Sequence, residues 1–151
     1  MARRPRTHVR SAAQISFNMS RVRSTGSEIE RVMQAAFRRA RLRPEAHTLV
    51  VGRPDFAFPR LRVAVFCDSH FWHGYRWQQQ KTEVKRNRSF WLPKIEGNIR
   101  RDREVNRSLR AAGWIVLRFW EHEIFGSADD CVAAVKRALA EQRAEGRKWQ
   151  S

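Results

Sequence analysis

Residues 66–75, FCDSHFWHGY, carry side chains that could do chemistry directly after an apolar run. Asp55, in the segment RPDF, comes twelve residues before Cys67 and thirteen before Asp68. If Asp55 begins one strand of a hairpin and the other two end the next strand, their oxygen atoms can face each other and hold a divalent metal ion. The spacing therefore predicts a metal site near Asp55, although Asp after Pro is also a common turn residue.

The predicted helix over residues 90–112 carries another carboxylate on its apolar face. At about 100° per residue, apolar side chains form one stripe, namely Trp91, Ile95, Ile99, Val105 and Leu109. Asn98 and Asp102 fall inside that stripe. Because a buried carboxylate needs a partner, we expect a histidine of residues 66–75 to approach Asp102 from the sheet.

Periodicity and turn residues predict the elements that position these groups. They are a helix over residues 28–41, strands over HTLVV (47–51), DFAFP (55–59) and RLRVAVFC (60–67), a loop over 74–89, the 90–112 helix, a strand over WIVLRFW (114–120) and a closing helix over 128–145. This order predicts an α/β single domain with a small mixed central β-sheet flanked by helices. The domain is expected to span residues 25–146, between a basic N-terminal arm (1–24) and a short tail (147–151).

The net charge indicates a polyanionic partner. The chain has 31 Lys and Arg against 15 Asp and Glu, a formal charge of +16. This exceeds what solubility requires and is typical of proteins that bind nucleic acid phosphates. There is no apolar run near the ~18 residues of a membrane span and no signal-peptide pattern, and Cys67 and Cys131 cannot form a disulfide framework. We therefore expect a cytoplasmic protein.

Several segments occur in the order, and near the spacing, of one known family. They are NMSRVRS, GRPDFAFP, VAVFCDSHFWHG, FWLPKIEGNIRRDREV and LRAAGWIVLRFWEHEI. Over residues 17–125 the chain resembles the very short patch repair (Vsr) DNA mismatch endonucleases, whose layout is that of PD-(D/E)XK nucleases with a restriction-endonuclease-like fold. The resemblance implies a Mg²⁺-dependent endonuclease that nicks one strand of double-stranded DNA beside a mismatched base, T·G by resemblance, in mismatch repair. We expect a monomer, because one nick needs one active site.

The resemblance also implies roles for individual side chains in catalysis. Asp55 matches the metal-binding aspartate, with the main chain of Cys67 as a second Mg²⁺ ligand. His73 matches the proposed general base, and Asp102 matches the carboxylate that orients it. Glu30 matches a further acidic residue of the active site, although a helix-capping role with Ser27 would also explain it.

Aromatic residues match the family's DNA wedge. Phe71, Trp72 and Trp91 match side chains that insert into the base stack beside the mismatch, and Met19 matches a residue inserted from the arm. Lys94 and Asn98 belong to the same FW…KI…N segment and are assigned to DNA contact. The alternative for the aromatic residues is ordinary core packing, since aromatic side chains are frequent in cores.

Two positions depart from the family pattern. Asp68 stands where the family usually has His, so it could join Asp55 as a metal ligand. At the family's structural zinc site, His70 and His122 replace two cysteines, and the other two ligand positions hold Tyr75 and Trp77. Because Tyr and Trp do not serve as zinc ligands, we predict aromatic packing and no structural zinc. The alternative is a site made by the two histidines with Cys67 or Asp68.

Two other functions remain open at this stage. The chain could be a nucleic-acid-binding module of the same fold that has lost cleavage, in which case His73 would be a core histidine satisfied by Asp102. It could also be an endonuclease that acts on matched DNA in restriction or defence. The presence of Asp55, Asp68, His73 and Asp102 argues against the first.

Overall fold

The computed structural model describes residues 28–148, so the predictions for the arm (1–24), for Met19 and for the Ser27 cap lie outside the described residues. The elements in chain order are α1 (28–39), β1 (Glu45–Ala46), β2 (Phe56–Phe58), β3 (Val63–Asp68), α2 (His70–His73), α3 (Trp77–Gln80), α4 (Arg88–Ala111), β4 (Ile115–Trp120) and α5 (Glu121–Lys148). The predicted α/β class and the small mixed sheet flanked by helices are confirmed.

The four strands form one sheet in the order β1-β2-β3-β4. β1 and β2 pair antiparallel, as do β2 and β3, whereas β3 and β4 are parallel. The register pairs Phe56 with Val65 and Asp68 with Trp120. The parallel pair therefore ends at the same edge of the sheet, where α2 and α5 begin.

Two apolar clusters cover the two faces of the sheet. In β3, Val63 and Val65 face a large cluster built mainly from α1, β2 and α5. Ala64 and Phe66 face a smaller cluster with Leu109 of α4. β3 is therefore buried on both faces, which explains its nearly continuous apolar sequence.

The predicted HTLVV strand is wrong. The short strand β1 lies just before it, and residues 47–51 form bends and a turn in which Arg53 N–H donates to the Val50 carbonyl at 2.9 Å. Leu49 and Val51 are 93% and 59% exposed, whereas Val50 packs on the smaller apolar cluster, so the segment lacks the continuous buried stripe of a strand. The β-branched composition favours a strand, but the pairing with β2 ends at Ala46 and Phe56, and the chain then bends and turns.

The boundaries of the helices also differ from the prediction. A helix of one turn, such as α2 or α3, is too short to show a repeating apolar pattern in the sequence. Residues 70–73 form α2, and α3 lies inside the predicted 74–89 loop. The last helix begins at Glu121 rather than at residue 128, with a kink at Ser127, and it continues to Lys148, inside the predicted tail. Within residues 28–148, the structure contains no helix long and apolar enough to cross a membrane.

Gly74 allows α2 to pack closely on α4. It follows α2 in a left-handed conformation with φ +68, and a Cβ atom at this position would clash with the side chain of Ile99. Both constraints favour glycine, because the left-handed region disfavours residues with a Cβ atom.

We expect Gly74→Ala to lower the free energy of unfolding by about 1–3 kcal/mol, through overpacking and the left-handed backbone. The measurement is chemical denaturation. Gly146→Ala is the matched control, because a Cβ atom there meets nothing within 4 Å and Ala favours a helix. Equal stability of the Gly74→Ala variant and the wild type would contradict this account of the contact.

Candidate active site

A cavity of about 380 Å³ lies at the edge where β3 and β4 end. All the predicted catalytic residues line it, namely Glu30, Asp55, Asp68, His73 and Asp102. A larger cavity of about 590 Å³, at the opposite end of β3, has four arginines in its lining and neither a histidine nor a pair of carboxylates. The chemistry of the side chains therefore favours the smaller cavity as the candidate site.

His73 and Asp102 form the closest polar pair in one half of this cavity. Nδ1 of His73 lies 2.8 Å from Oδ2 of Asp102, and Asp68 Oδ1 lies 3.6 Å from the same nitrogen. The predicted pairing of Asp102 with a histidine is confirmed, although the histidine comes from α2 rather than from the sheet. With Nδ1–H donated to the carboxylate, Nε2 of the imidazole is the nitrogen that can accept a proton.

The pKa of His73 reflects opposing effects. Burial lowers this pKa, but the hydrogen bond to Asp102 and the negative charge of Asp68 outweigh burial and raise it above the ordinary 6.5. The imidazolium form is thus favoured by folding. His73 stabilises the fold below its unfolded-state pKa, and that contribution is lost as the pH rises through the folded-state value.

Asp55 and Glu30 form the other half of the cavity. Asp55 Oδ2 accepts the main-chain N–H of Cys67 at 2.7 Å, and Glu30 lines the same cavity. Burial, together with the nearby Glu30, raises the pKa of Asp55 to about 6 despite the Cys67 hydrogen bond. Two adjacent carboxylates with hard oxygen atoms and unfavourable mutual repulsion fit a divalent cation such as Mg²⁺.

Another group in the cavity has the composition of a metal site. Among residues 28–148, the one group of three or more His, Cys, Asp or Glu side chains that could hold an ion consists of Asp68, His73 and Asp102. Their ligand atoms all lie within 4.8 Å of one another. Burial raises the pKa of Asp68, while His73 and Arg118 oppose that effect. The cavity therefore has two groups of acidic side chains that need a positive charge: first Asp55 with Glu30, and second Asp68 with Asp102.

Arg118, which sequence reasoning missed, supplies positive charge to the group of Asp68, His73 and Asp102. Its Nη1 lies 3.2 Å from both carboxylate oxygens of Asp68 and 3.6 Å from Oδ1 of Asp102. Its Nε donates to Asn106 at 2.7 Å, and its guanidinium lies over the ring of Phe66. An arginine in the middle of the apolar strand WIVLRFW was the signal that could have revealed it.

His47 also approaches the site and was not predicted. Its Nε2 lies 3.5 Å from Oε2 of Glu30, and its main-chain N–H donates to the Asp55 carbonyl. No sequence pattern marks this histidine, because only the turn after β1 brings it near α1.

The predicted wedge residues form an aromatic wall beside the cavity. Phe71 contacts Trp72 and Trp91 edge to face, with ring centroids 5.1 and 5.6 Å apart. Lys94 Nζ lies 5.3 Å from the Trp72 ring, and Asn98 donates to the Trp72 carbonyl at 3.1 Å. None of the three aromatic side chains belongs to either buried cluster, and all are partly exposed. The wall is therefore distinct from the core, and its role in DNA contact stays a prediction.

Aromatic packing occupies part of the family's zinc position. His70 Nε2 and His122 Nδ1 are 2.7 Å apart, and the Tyr75 ring stacks on His70 at 4.3 Å. Trp77 does not join them as expected, because its indole N–H donates to Glu96 at 3.3 Å. Tyr75 therefore packs against the two histidines as predicted, the predicted packing of Trp77 there is wrong, and the lack of a structural zinc stays a prediction.

The sheet topology, together with an acidic cavity at the ends of β3 and β4, is typical of an α/β nuclease domain. The family model described as DNA mismatch endonuclease Vsr matches residues 7–79. The chain is 38% identical over 130 residues to the type II nicking enzyme V.NaeI of Lentzea aerocolonigenes, covering 82% of this chain and 75% of the relative. The chain belongs to the Vsr family.

Two other relatives give the same assignment. The type II nicking enzyme V.NmeDIP of Neisseria meningitidis serogroup C is 47% identical over 94 residues, covering 62% of this chain and 64% of the relative. The chain thus spans just under two thirds of the length of the Neisseria relative. The DNA mismatch endonuclease Vsr of Escherichia coli strain K12 is 39% identical over 75 residues, covering 50% of this chain and 47% of the relative.

Asp102→Asn should lower the pKa of His73, because it replaces a charged hydrogen-bond acceptor that favours imidazolium with a neutral one and leaves the opposing effect of burial. An NMR pH titration of the imidazole resonances measures this change, and the wild-type His73 should titrate above pH 6.5. Glu104→Gln, at an exposed position on the same helix, should leave the value unchanged. If the Asp102→Asn variant titrates like the wild type, the hydrogen bond does not control this histidine.

Proposed function

We propose that the protein is a Mg²⁺-dependent DNA endonuclease that nicks one strand beside a mismatched base, with T·G as the preferred mismatch and mismatch repair as its role. The observation that carries the proposal is the joint lining of one cavity by a hydrogen-bonded His–Asp pair and a carboxylate pair. The charge of +16 supports double-stranded DNA as the partner. A monomer suffices, because one cavity holds all the reacting groups.

His73 acts as the general base in the proposed reaction. Its Nε2 takes a proton from a water molecule, whose oxygen bonds to phosphorus as the bond to one sugar oxygen breaks, and the leaving oxygen takes a proton from solvent. Asp102 holds Nδ1–H, so the imidazole keeps the required tautomer and orientation. Because His73 must be neutral to act, nicking should increase as the pH rises through its pKa.

Asp55 and Glu30, with the main chain at Cys67, are the groups that would hold Mg²⁺. The bound ion would stabilise the negative charge that develops on the phosphate oxygens. Asp55 is oriented for this role by the Cys67 N–H, which occupies Oδ2 and leaves its other oxygen for a ligand. Raising the pH above about 6 should favour metal binding, since Asp55 must be ionised.

The aromatic wall would recognise the mismatch by unstacking. Inserting Phe71, Trp72 or Trp91 beside a base pair costs a few kcal/mol, and least at a mispaired base. Lys94 adds a cation next to the Trp72 ring, where it could reach a phosphate. The cost of unstacking thus provides selectivity without contacts to every base.

A role in restriction or defence is the second candidate, and the names of several relatives favour it. Those relatives are called type II nicking enzymes, a name that states nicking and does not mention a mismatch. Such a role would use the same reacting groups on matched DNA. The choice of substrate separates the two functions.

We expect Mg²⁺-dependent nicking of a labelled duplex that carries T·G, weak nicking of other mismatches, and none of a matched duplex or in EDTA. Asp55→Ala should abolish nicking while the affinity for the duplex is retained, because it removes a metal ligand and not the basic surface. Glu141→Ala, at an exposed position on α5, is the control and should nick normally. Cleavage of matched DNA would instead support restriction, and binding without nicking by the wild type would support a binding module.

Trp72→Ala should weaken binding to T·G duplexes roughly ten-fold, because one base–aromatic stack contributes about 1–3 kcal/mol. Affinity for matched duplexes should not change. Fluorescence anisotropy with both duplexes measures the ratio, and Phe125→Ala, which removes an exposed aromatic side chain on α5, is the control. An equal loss for both duplexes would argue against a wedge that reads the mismatch.

A further inference from the structure

The two halves of the cavity differ in whether the protein itself supplies a cation. Asp55 and Glu30 line one half of the cavity, where Asp55 Oδ2 accepts the main-chain N–H of Cys67, a neutral donor, at 2.7 Å. At Asp68, a guanidinium lies 3.2 Å from both oxygens. The side chain of Asp68 is only 4% exposed, and a carboxylate so deeply buried requires a partner of opposite charge.

We propose that Arg118 is a fixed cation that occupies the Asp68–His73–Asp102 group in place of a metal ion. Asp68 is then the counter-ion of Arg118 and not a ligand, and the divalent ion binds in the other half of the cavity, at Asp55, Glu30 and the main chain of Cys67. This inference rests on the proposed metal-dependent nuclease and limits its metal to one half of the cavity. It assigns Asp68 differently from the sequence-based alternative, in which it joins Asp55 at the ion.

The position of Arg118 is set from several sides. Asn106 accepts from Nε at 2.7 Å, and the Phe66 ring lies 4.0 Å from the guanidinium carbon. The Arg118 side chain is 17% exposed, so it has little freedom to leave. Because a guanidinium keeps its charge in proteins, a second cation among the same carboxylates would meet repulsion that water screens poorly.

Arg118 is also a positioning residue for His73. Its Nη1 approaches Oδ1 of Asp102, while Oδ2 of that carboxylate bonds the imidazole. Asp68, held by the same nitrogen, lies 3.6 Å from Nδ1 of His73. One guanidinium thus orients both carboxylates that face the imidazole, and it acts on the reaction only through them.

The first test is Mn²⁺ binding by the full chain without DNA, measured by electron paramagnetic resonance. The wild type should bind one ion, Asp55→Asn should weaken that binding at least ten-fold, and Asp68→Asn should leave it within about two-fold. The Arg118→Met variant should bind a second ion, because the Asp68–His73–Asp102 group then lacks the guanidinium. The double variant Asp68→Asn/Arg118→Met should bind one ion only, because it also lacks the Asp68 carboxylate. Arg118→Lys keeps the charge and should stay at one ion.

Two results would overturn the inference while leaving a metal-dependent nuclease intact. One is a loss of Mn²⁺ affinity in Asp68→Asn as large as in Asp55→Asn, and the other is a single ion in folded Arg118→Met. If Arg118→Met does not fold, the Mn²⁺ affinities of Asp68→Asn and Asp55→Asn still decide whether Asp68 is a ligand. If the wild type binds no Mn²⁺, the proposed metal-dependent function fails together with this inference.

The second test separates positioning from general stability. Arg118→Met should lower kcat for nicking about ten-fold with KM unchanged, and Arg118→Lys should restore part of kcat. A structural role alone would instead lower the active fraction in parallel with thermal stability and would not be rescued by Lys at a temperature where both variants are folded. An unchanged kcat in Arg118→Met would overturn the positioning role.

Discussion

The burial of β3 on both faces is the constraint on which the rest of the site depends. A strand packed between two apolar clusters can carry polar groups only where it ends, so Cys67 and Asp68 mark the edge at which chemistry becomes possible. The parallel pairing with β4 brings Trp120 and Arg118 to the same edge. Every charged group there must then find a partner within the protein or from a ligand.

The protein meets this requirement in two ways within one cavity. Asp68 and Asp102 receive a guanidinium and an imidazole, so their negative charge is largely compensated by side chains. Asp55 receives one main-chain N–H and a neighbouring acid, so its charge is not compensated. The same low-dielectric surroundings that make the first arrangement rigid make the second attractive to a divalent cation.

The departures from the family pattern are mutually consistent in physical terms. Asp68 stands where the resemblance predicts a histidine, and an arginine on the adjacent strand neutralises it. At the family's zinc position, histidines and a tyrosine ring pack against one another, with His70 N–H donating to Glu121 at 2.7 Å. In both places, hydrogen bonds connect residues that lie 50 and 51 positions apart in the chain.

The sequence by itself determined what local periodicity and motif order carry. The apolar run of β3, the stripe of α4 with Asp102 inside it, and the family assignment all followed from neighbours in the chain. Tertiary structure decided the rest. The HTLVV segment forms bends and a turn instead of a strand, Trp77 donates a hydrogen bond to Glu96, and Asp68 accepts from Arg118, fifty positions further along the chain. Periodicity reports which face of an element is buried, whereas the partner of a buried charge depends on how distant elements pack, and that packing is a property of the whole fold.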